Sequence, residues 1–209
     1  ATIGGDYGSY HHNLLAHNEG RNWSMSGGLD GGGSYAGHHD MFNNVCYNWR
    51  NRTTDGGTHQ GQFVNNYYKM GPATTHTYLL TADLEGTGKG SQSYYVSGNI
   101  RENRNGSLTT DKENVTYRVN AEQKYDWDVF VDKPFFESYA TIEPAKLAYK
   151  TTLSDVGCNQ PFFDNHDTRM VKETLTGTYT YKGNRTGYPG LIDKESDSEG
   201  FAGLNIVEE

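Results

Sequence analysis

The residues able to do chemistry in this chain are histidines, loop carboxylates and loop cations, and their spacing narrows what each can do. His11-His12 and His38-His39 are adjacent pairs. Neighbours on a strand point to opposite faces, so neither pair is set to chelate one ion. No H-E-x-x-H or Cys/His spacing is present, which argues against zinc hydrolysis. No G-x-S-x-G turn supports a serine hydrolase. A solenoid glycosidase would need carboxylates paired across a cleft, and no Asp-Asp pair falls on one repeat unit. Asp164 and Asp167 stand at the start of an apparent helix, where capping accounts for them. Asp30, Asp40 and Asp55 are loop acids, whereas a dedicated calcium site needs roughly six to eight oxygens from one cluster. What remains is basic: Arg21, Arg50, Arg52 and Lys69, all in or beside polar loops.

Such cations matter because the chain as a whole is acidic. A net charge of −8 over 209 residues excludes general nucleic-acid binding. It leaves room for a polyanionic substrate, provided that local cations or a metal neutralise it. Charged residues are only 21% and aromatics reach 13%, so the polar composition is not that of a disordered chain. No apolar run is long enough to span a membrane. The amino-terminal stretch ATIGGDYGSY has neither a basic segment nor an apolar core, so a signal peptide is expected to lie outside this sequence or to have been removed. Cys46 lies in an alternating apolar segment and reads as a buried thiol.

A loose repeat decides which elements position these residues. Tyr10–Asn18, Phe42–Asn48, Phe63–Tyr68 and Val96–Ile100 each carry an asparagine followed by a short apolar or aromatic strand. Aligned on Asn13, Asn44, Asn66 and Asn99, the steps are 31, 22 and 33 residues. No 3.6-residue period is sustained, and the intervals are too long for hairpins. A coil of about two dozen residues per turn, with insertions on one side, accommodates all three steps. The expected fold is therefore all-β, a parallel β-solenoid. Stacked asparagine amides can bond one another and the bend backbone, so these four asparagines are expected to hold the coil and do no chemistry. Past residue 105 the repeat fades into β-like stretches at Val115–Val119 and Val129–Val131. A short helix is expected from Glu143-Pro144 to Val156, and a second over Asn165–Thr176 with Asp164 as N-cap and Gly177 after its end. The chain then reads as one continuous domain, with repeat units over 1–105 and a segment packing back on the coil over 106–209.

Three stretches together resemble the family 1 polysaccharide lyases, the pectate lyase group. The first is Ser9-Tyr10-His11-His12-Asn13-Leu14-Leu15-Ala16-His17-Asn18-Glu19-Gly20-Arg21-Asn22, similar to the family's HHN…R-x-P segment. The second is Phe42-Asn43-Asn44-Val45-Cys46-Tyr47-Asn48-Trp49 followed by Val64–Pro72, like its successive NN-x-x-Y units. The third runs from Ala148-Tyr149 through Gly157-Cys158, Pro161, Asp164, Asp167 and Arg169. The resemblance covers the family's C-terminal portion and implies a right-handed parallel β-helix. It also implies an exported enzyme (secreted, periplasmic or cell-surface) acting by β-elimination on α-1,4-linked galacturonan. The resemblance makes Arg21 the base that removes the C5 proton. A free guanidinium is always protonated, so nearby cations must disfavour its charge. Trp23 stands where the family has proline and Ser26 where many members have a second basic residue. Arg50, Arg52 and Lys69 are the substrate-binding cations that could replace that charge. The family's calcium carboxylates lie ahead of the HHN segment. Ca²⁺ is accordingly expected with its ligands outside this chain, and a partner polypeptide, the amino-terminal part of the same protein, is expected to cover the first coil. The competing reading is a non-catalytic carbohydrate-binding or structural solenoid.

Overall fold

A computed structural model describes residues 1–158 and 163–198; Pro161 of the third stretch lies outside them. The chain is mostly strand, arranged in three five-stranded sheets with two short helices near its end. The first sheet holds β1 (Thr2–Gly4), β4 (Ser24–Ser26), β7 (Thr54–Gly57), β10 (Leu80–Leu84) and β14 (Tyr117–Ala121). The second holds β2 (Tyr7–His11), β5 (His38–Phe42), β8 (Gln60–Val64), β11 (Ser93–Ser97) and β15 (Phe130–Val131). The third holds β3 (Leu14–Ala16), β6 (Val45–Tyr47), β9 (Tyr67–Lys69), β12 (Ile100–Glu102) and β13 (Leu108–Thr110). The chain visits the sheets in rotation, adding one strand to each per passage, except that β13 folds back on β12 within the third sheet before β14. Among the described residues, every strand pair is parallel except β12 with β13.

The corner between second and third sheets sets the spacing. It is always two residues long: His12-Asn13, Asn43-Asn44, Asn65-Asn66 and Gly98-Asn99. The first residue of each pair has positive φ, from 51° to 72°, a region that asparagine and glycine tolerate best. The second residue forms the ladder expected from sequence. Asn13 Nδ2 donates to Asn44 Oδ1 at 2.9 Å, Asn44 Nδ2 to Asn66 Oδ1 at 3.1 Å, and Asn66 Nδ2 to Asn99 Oδ1 at 2.9 Å. Each of these Oδ1 atoms also accepts the backbone N–H of the preceding ladder asparagine. The interior is filled by one or two side chains per strand, among them Met25, Met41, Cys46, Phe63, Tyr68, Leu80 and Tyr94. Cys46 is fully buried and its thiol pKa is pushed up by desolvation.

Asp111 ends the ladder, accepting the Asn99 backbone N–H at 2.9 Å and Asn99 Nδ2 at 3.1 Å. Burial raises its pKa above the usual aspartate value, and the bonds from Asn99 offset only part of that. A carboxyl whose pKa is higher folded than unfolded binds its proton more tightly in the native state. Its destabilising contribution is absent at low pH and grows as pH rises from about 4 through the raised native value. Asp111→Asn removes the titration but turns one accepting oxygen into a donor, so its denaturant midpoint relative to wild type is expected to rise with pH above about 4 and to settle at a constant, lower value in more acid solution. Unfolding curves at several pH values check this; a gap that does not vary with pH contradicts it.

The C-terminal segment closes two of the three faces. Over the second sheet, Phe135 N–H donates to Gln62 Oε1 at 3.0 Å and Ser138 Oγ to Asp40 Oδ2 at 2.5 Å. Helix α1 (Ala145–Asp155) docks on the Asn43 corner, where Asn43 Nδ2 donates to Glu143 O and Asn43 Oδ1 accepts from Glu143 N–H. Helix α2 (Asn165–Thr176) begins at Asp164, whose side chain accepts the Asp167 N–H, and stops at Gly177 with φ 71°. Its Glu173 is buried against His17, with Oε2 2.6 Å from Nε2, and is shared with Arg169 at 3.2 Å. Among the described residues, no helix is long and apolar enough to cross a membrane.

Candidate functional site

The remaining face, the outside of the first sheet, is polar. Inward positions are filled by Ile3, Met25, Leu80, Ala82 and Leu84, so alternation turns Ser24, Ser26, Asp55, Thr81, Asp83, Arg118 and Asn120 outward. Register aligns Ser24, Asp55, Thr81 and Arg118 across four strands, with Asp83 beside Asn120. Asn120 Nδ2 donates to Asp83 Oδ1 at 2.7 Å. Burial raises the Asp83 pKa; the Asn120 bond opposes this, and the nearby Asp55 charge adds to it.

Arg21 sits at the head of this face, in the turn that leads from β3 into β4. It is exposed, with φ 56°. Among the described residues, no hydrogen bond or ion pair engages its guanidinium. Its backbone, by contrast, is firmly held: Arg21 O accepts from the Ala1 amino group at 2.5 Å. The next residue, Asn22, is fully buried. Asn22 donates from Nδ2 to Arg52 O at 3.1 Å, and its own carbonyl accepts from Thr54 Oγ1 at 2.7 Å and Tyr68 Oη at 3.1 Å. Trp23 is buried against Tyr10, with ring centroids 5.7 Å apart, and the Asn22–Trp23 peptide is cis. An exposed side chain thus projects from a turn whose next residue, Asn22, is buried and hydrogen-bonded.

The four basic candidates do not form one cluster. Arg52 lies one passage beyond Arg21 on the same side; a Cβ on Gly20 would lie 3.0 Å from its Cβ. Its guanidinium is held by Asp55 in two bonds, Nε to Oδ2 at 2.7 Å and a terminal nitrogen to Oδ1 at 2.8 Å. That hydrogen bond, more than any longer-range attraction, raises the Arg52 pKa. Arg50 is in the same loop, but its guanidinium lies 3.1 Å above the Tyr188 ring centroid. Lys69 is on the third sheet, where Nζ donates to Leu175 O at 3.0 Å, 3.7 Å from Glu102 and beside Tyr149. Lys69 therefore serves the docking of the C-terminal segment rather than the Arg21 face. Burial first, then the Glu102 charge, pushes the Tyr149 pKa up to about 12.

The adjacent histidines also separate differently. His38 points outward and His39 is buried inward, as alternation requires. His11 and His12 do meet, Nδ1 to Nδ1 at 2.9 Å, because His12 occupies the corner and not the strand. Asp55, Asp83 and Arg118 were not recognisable as neighbours in the sequence, since the steps between their strands differ each time.

The candidate carboxylates Asp30, Asp40, Asp55 and Asp83 each have a partner. Asp30 Oδ1 holds the Gly32 and Ser34 N–H groups at 2.8 Å. Asp40 lies between Gln62 and Ser138, Asp55 on Arg52, and Asp83 on Asn120. Among the described residues, no group of three or more histidines, cysteines or acids converges as a metal cage. These residues do not fit a calcium site. No family model matches this sequence, and no curated protein is significantly similar to it.

Proposed function

We propose that the three sheets form a right-handed parallel β-helix and that the chain is a pectate-lyase-like polysaccharide lyase, with Arg21 as base. The observation that carries the reading is the exposed guanidinium of Arg21, unpaired among the described residues, at the head of the polar outer face of the first sheet. In the reaction Arg21 takes the C5 proton of a galacturonate residue. The C5–H electron pair forms the C4=C5 double bond as the C4–O bond breaks, and the departing oxygen takes a proton from water. Developing negative charge on the sugar acid calls for nearby positive charge, and Arg52, beside the Gly20–Arg21 turn, is the candidate for it once its guanidinium leaves Asp55. Arg50 is the second substrate-binding candidate, reached by displacement from Tyr188. Lys69 is left out of the site. Calcium, where it assists by neutralising the substrate carboxylate, is held by groups outside this chain, in keeping with a partner polypeptide over the first passage. Action on pectin places the protein outside the cytoplasm, secreted, periplasmic or at the cell surface.

The test is incubation of the protein with polygalacturonate and Ca²⁺. A lyase releases an unsaturated, ultraviolet-absorbing product. A carbohydrate-binding solenoid retards the polymer without generating absorbance, and that outcome would replace the enzymatic reading.

A further inference from the structure

At the turn from the first sheet into the second, a cleft of about 590 Å³ is lined by Asp6, Tyr35, His38, His59 and Lys89. His59 Nδ1 lies 2.8 Å from Ser91 O. A carbonyl can only accept, so Nδ1 carries the hydrogen and Nε2 keeps a lone pair. His38 Nδ1 lies 3.2 Å from Asp6 Oδ1 and 3.3 Å from Asp6 O, which fixes the same tautomer. Among the described residues, no hydrogen bond engages the Nε2 atom of either ring. The two rings are perpendicular with centroids 5.5 Å apart, and His38 is stacked flat on Tyr7 at 4.4 Å.

Two imidazoles lining one cleft, with their Nδ1–H groups tied to a carboxylate and a carbonyl and no hydrogen bond to Nε2 among the described residues, match the outer support that metal-ligating histidines require. We propose that this cleft binds a transition-metal dication, with Nε2 of His38 and Nε2 of His59 as its protein ligands and water in the remaining positions. Nitrogen ligands select Zn²⁺, Cu²⁺ or Ni²⁺ over Ca²⁺ or Mg²⁺. The Asp6 carboxylate behind His38 strengthens that ligand and supplies negative charge. Lys89 is turned aside onto Gly32 O at 3.2 Å. His11 and His12 offer no equivalent, because their Nδ1 atoms share one proton and His12 Nε2 faces Glu143 at 3.6 Å. The two ligands are 21 residues apart and meet only because β5 and β8 are adjacent. The inference is independent of the lyase reading.

Titrating the whole chain with Zn²⁺ by calorimetry, and with Cu²⁺ by electron paramagnetic resonance, tests it. A single ion per chain is expected, with hyperfine coupling to two imidazole nitrogens in the Cu²⁺ spectrum. His38→Ala and His59→Ala should each weaken Zn²⁺ binding at least tenfold, and Asp6→Asn by about tenfold or more. His11→Ala should leave binding unchanged. Should an alanine variant misfold, His59→Gln keeps a polar side chain without a lone-pair imidazole, and the wild-type spectrum decides without any variant. Fewer than two nitrogens, no saturable binding, or loss of binding in His11→Ala overturns the proposal.

Discussion

Arg21→Ala is expected to lower β-elimination of polygalacturonate by about 10²–10⁴-fold, the usual worth of a positioned base, while unfolding behaviour stays close to wild type. The side chain has no partner to lose among the described residues, so truncation leaves no buried group unsatisfied. Arg21→Lys is expected to fall nearly as far, because an ammonium on a flexible stem reaches the proton with different geometry. Initial rates of ultraviolet absorbance, with urea midpoints alongside, separate chemistry from folding. Arg52→Ala gives a useful contrast: it strands the Asp55 carboxylate, so it should reduce stability as well as rate. If Arg21→Ala keeps full activity, Arg21 is not the base.

Asn66→Ala is expected to give the largest loss of stability on the coil. Asn66 is fully buried, donates from Nδ2 to Asn99 Oδ1 and Met41 O, and accepts both N–H and Nδ2 of Asn44 on one oxygen. Removing it orphans the Asn44 donors inside the wall, at about 1–3 kcal/mol for each unsatisfied group, so about 3–5 kcal/mol in all is expected. For a chain of this size that corresponds to about 6–20 °C in Tm. Asn13→Ala, at the first rung of the ladder, removes bonds on one side only and should cost less. Equal losses at both positions would mean that the ladder does not act as a buried relay.

Much of the frame was legible because it rests on local chemistry. The asparagines at 13, 44, 66 and 99 announce the ladder, since an amide both gives and receives at a bend that cannot be covered by apolar side chains. Asp164 and Gly177 bracket α2 for equally local reasons. Around Pro144 the reading was close: proline is the N-cap residue, not the first helical one. The face of the first sheet was not legible. Asp55, Thr81 and Arg118 align through steps of different length, and a variable step hides which polar residue faces which. Lys69 looked like any loop cation until α1 and α2 were laid over it. His38 and His59 likewise depend on a pairing register that no spacing rule encodes.

The invariant corner has a consequence for how such a protein can be altered. The second-to-third-sheet corners are all two residues long, while the links from third to first sheet range from six residues, 48–53, to ten, 70–79. Length change is thus confined to the rims bordering the polar face, and the asparagine edge acts as a fixed spine. Segments exchanged at those rims would remodel what the molecule grips without disturbing strand pairing; a single residue inserted between Phe42 and Val45 would throw the whole wall out of phase.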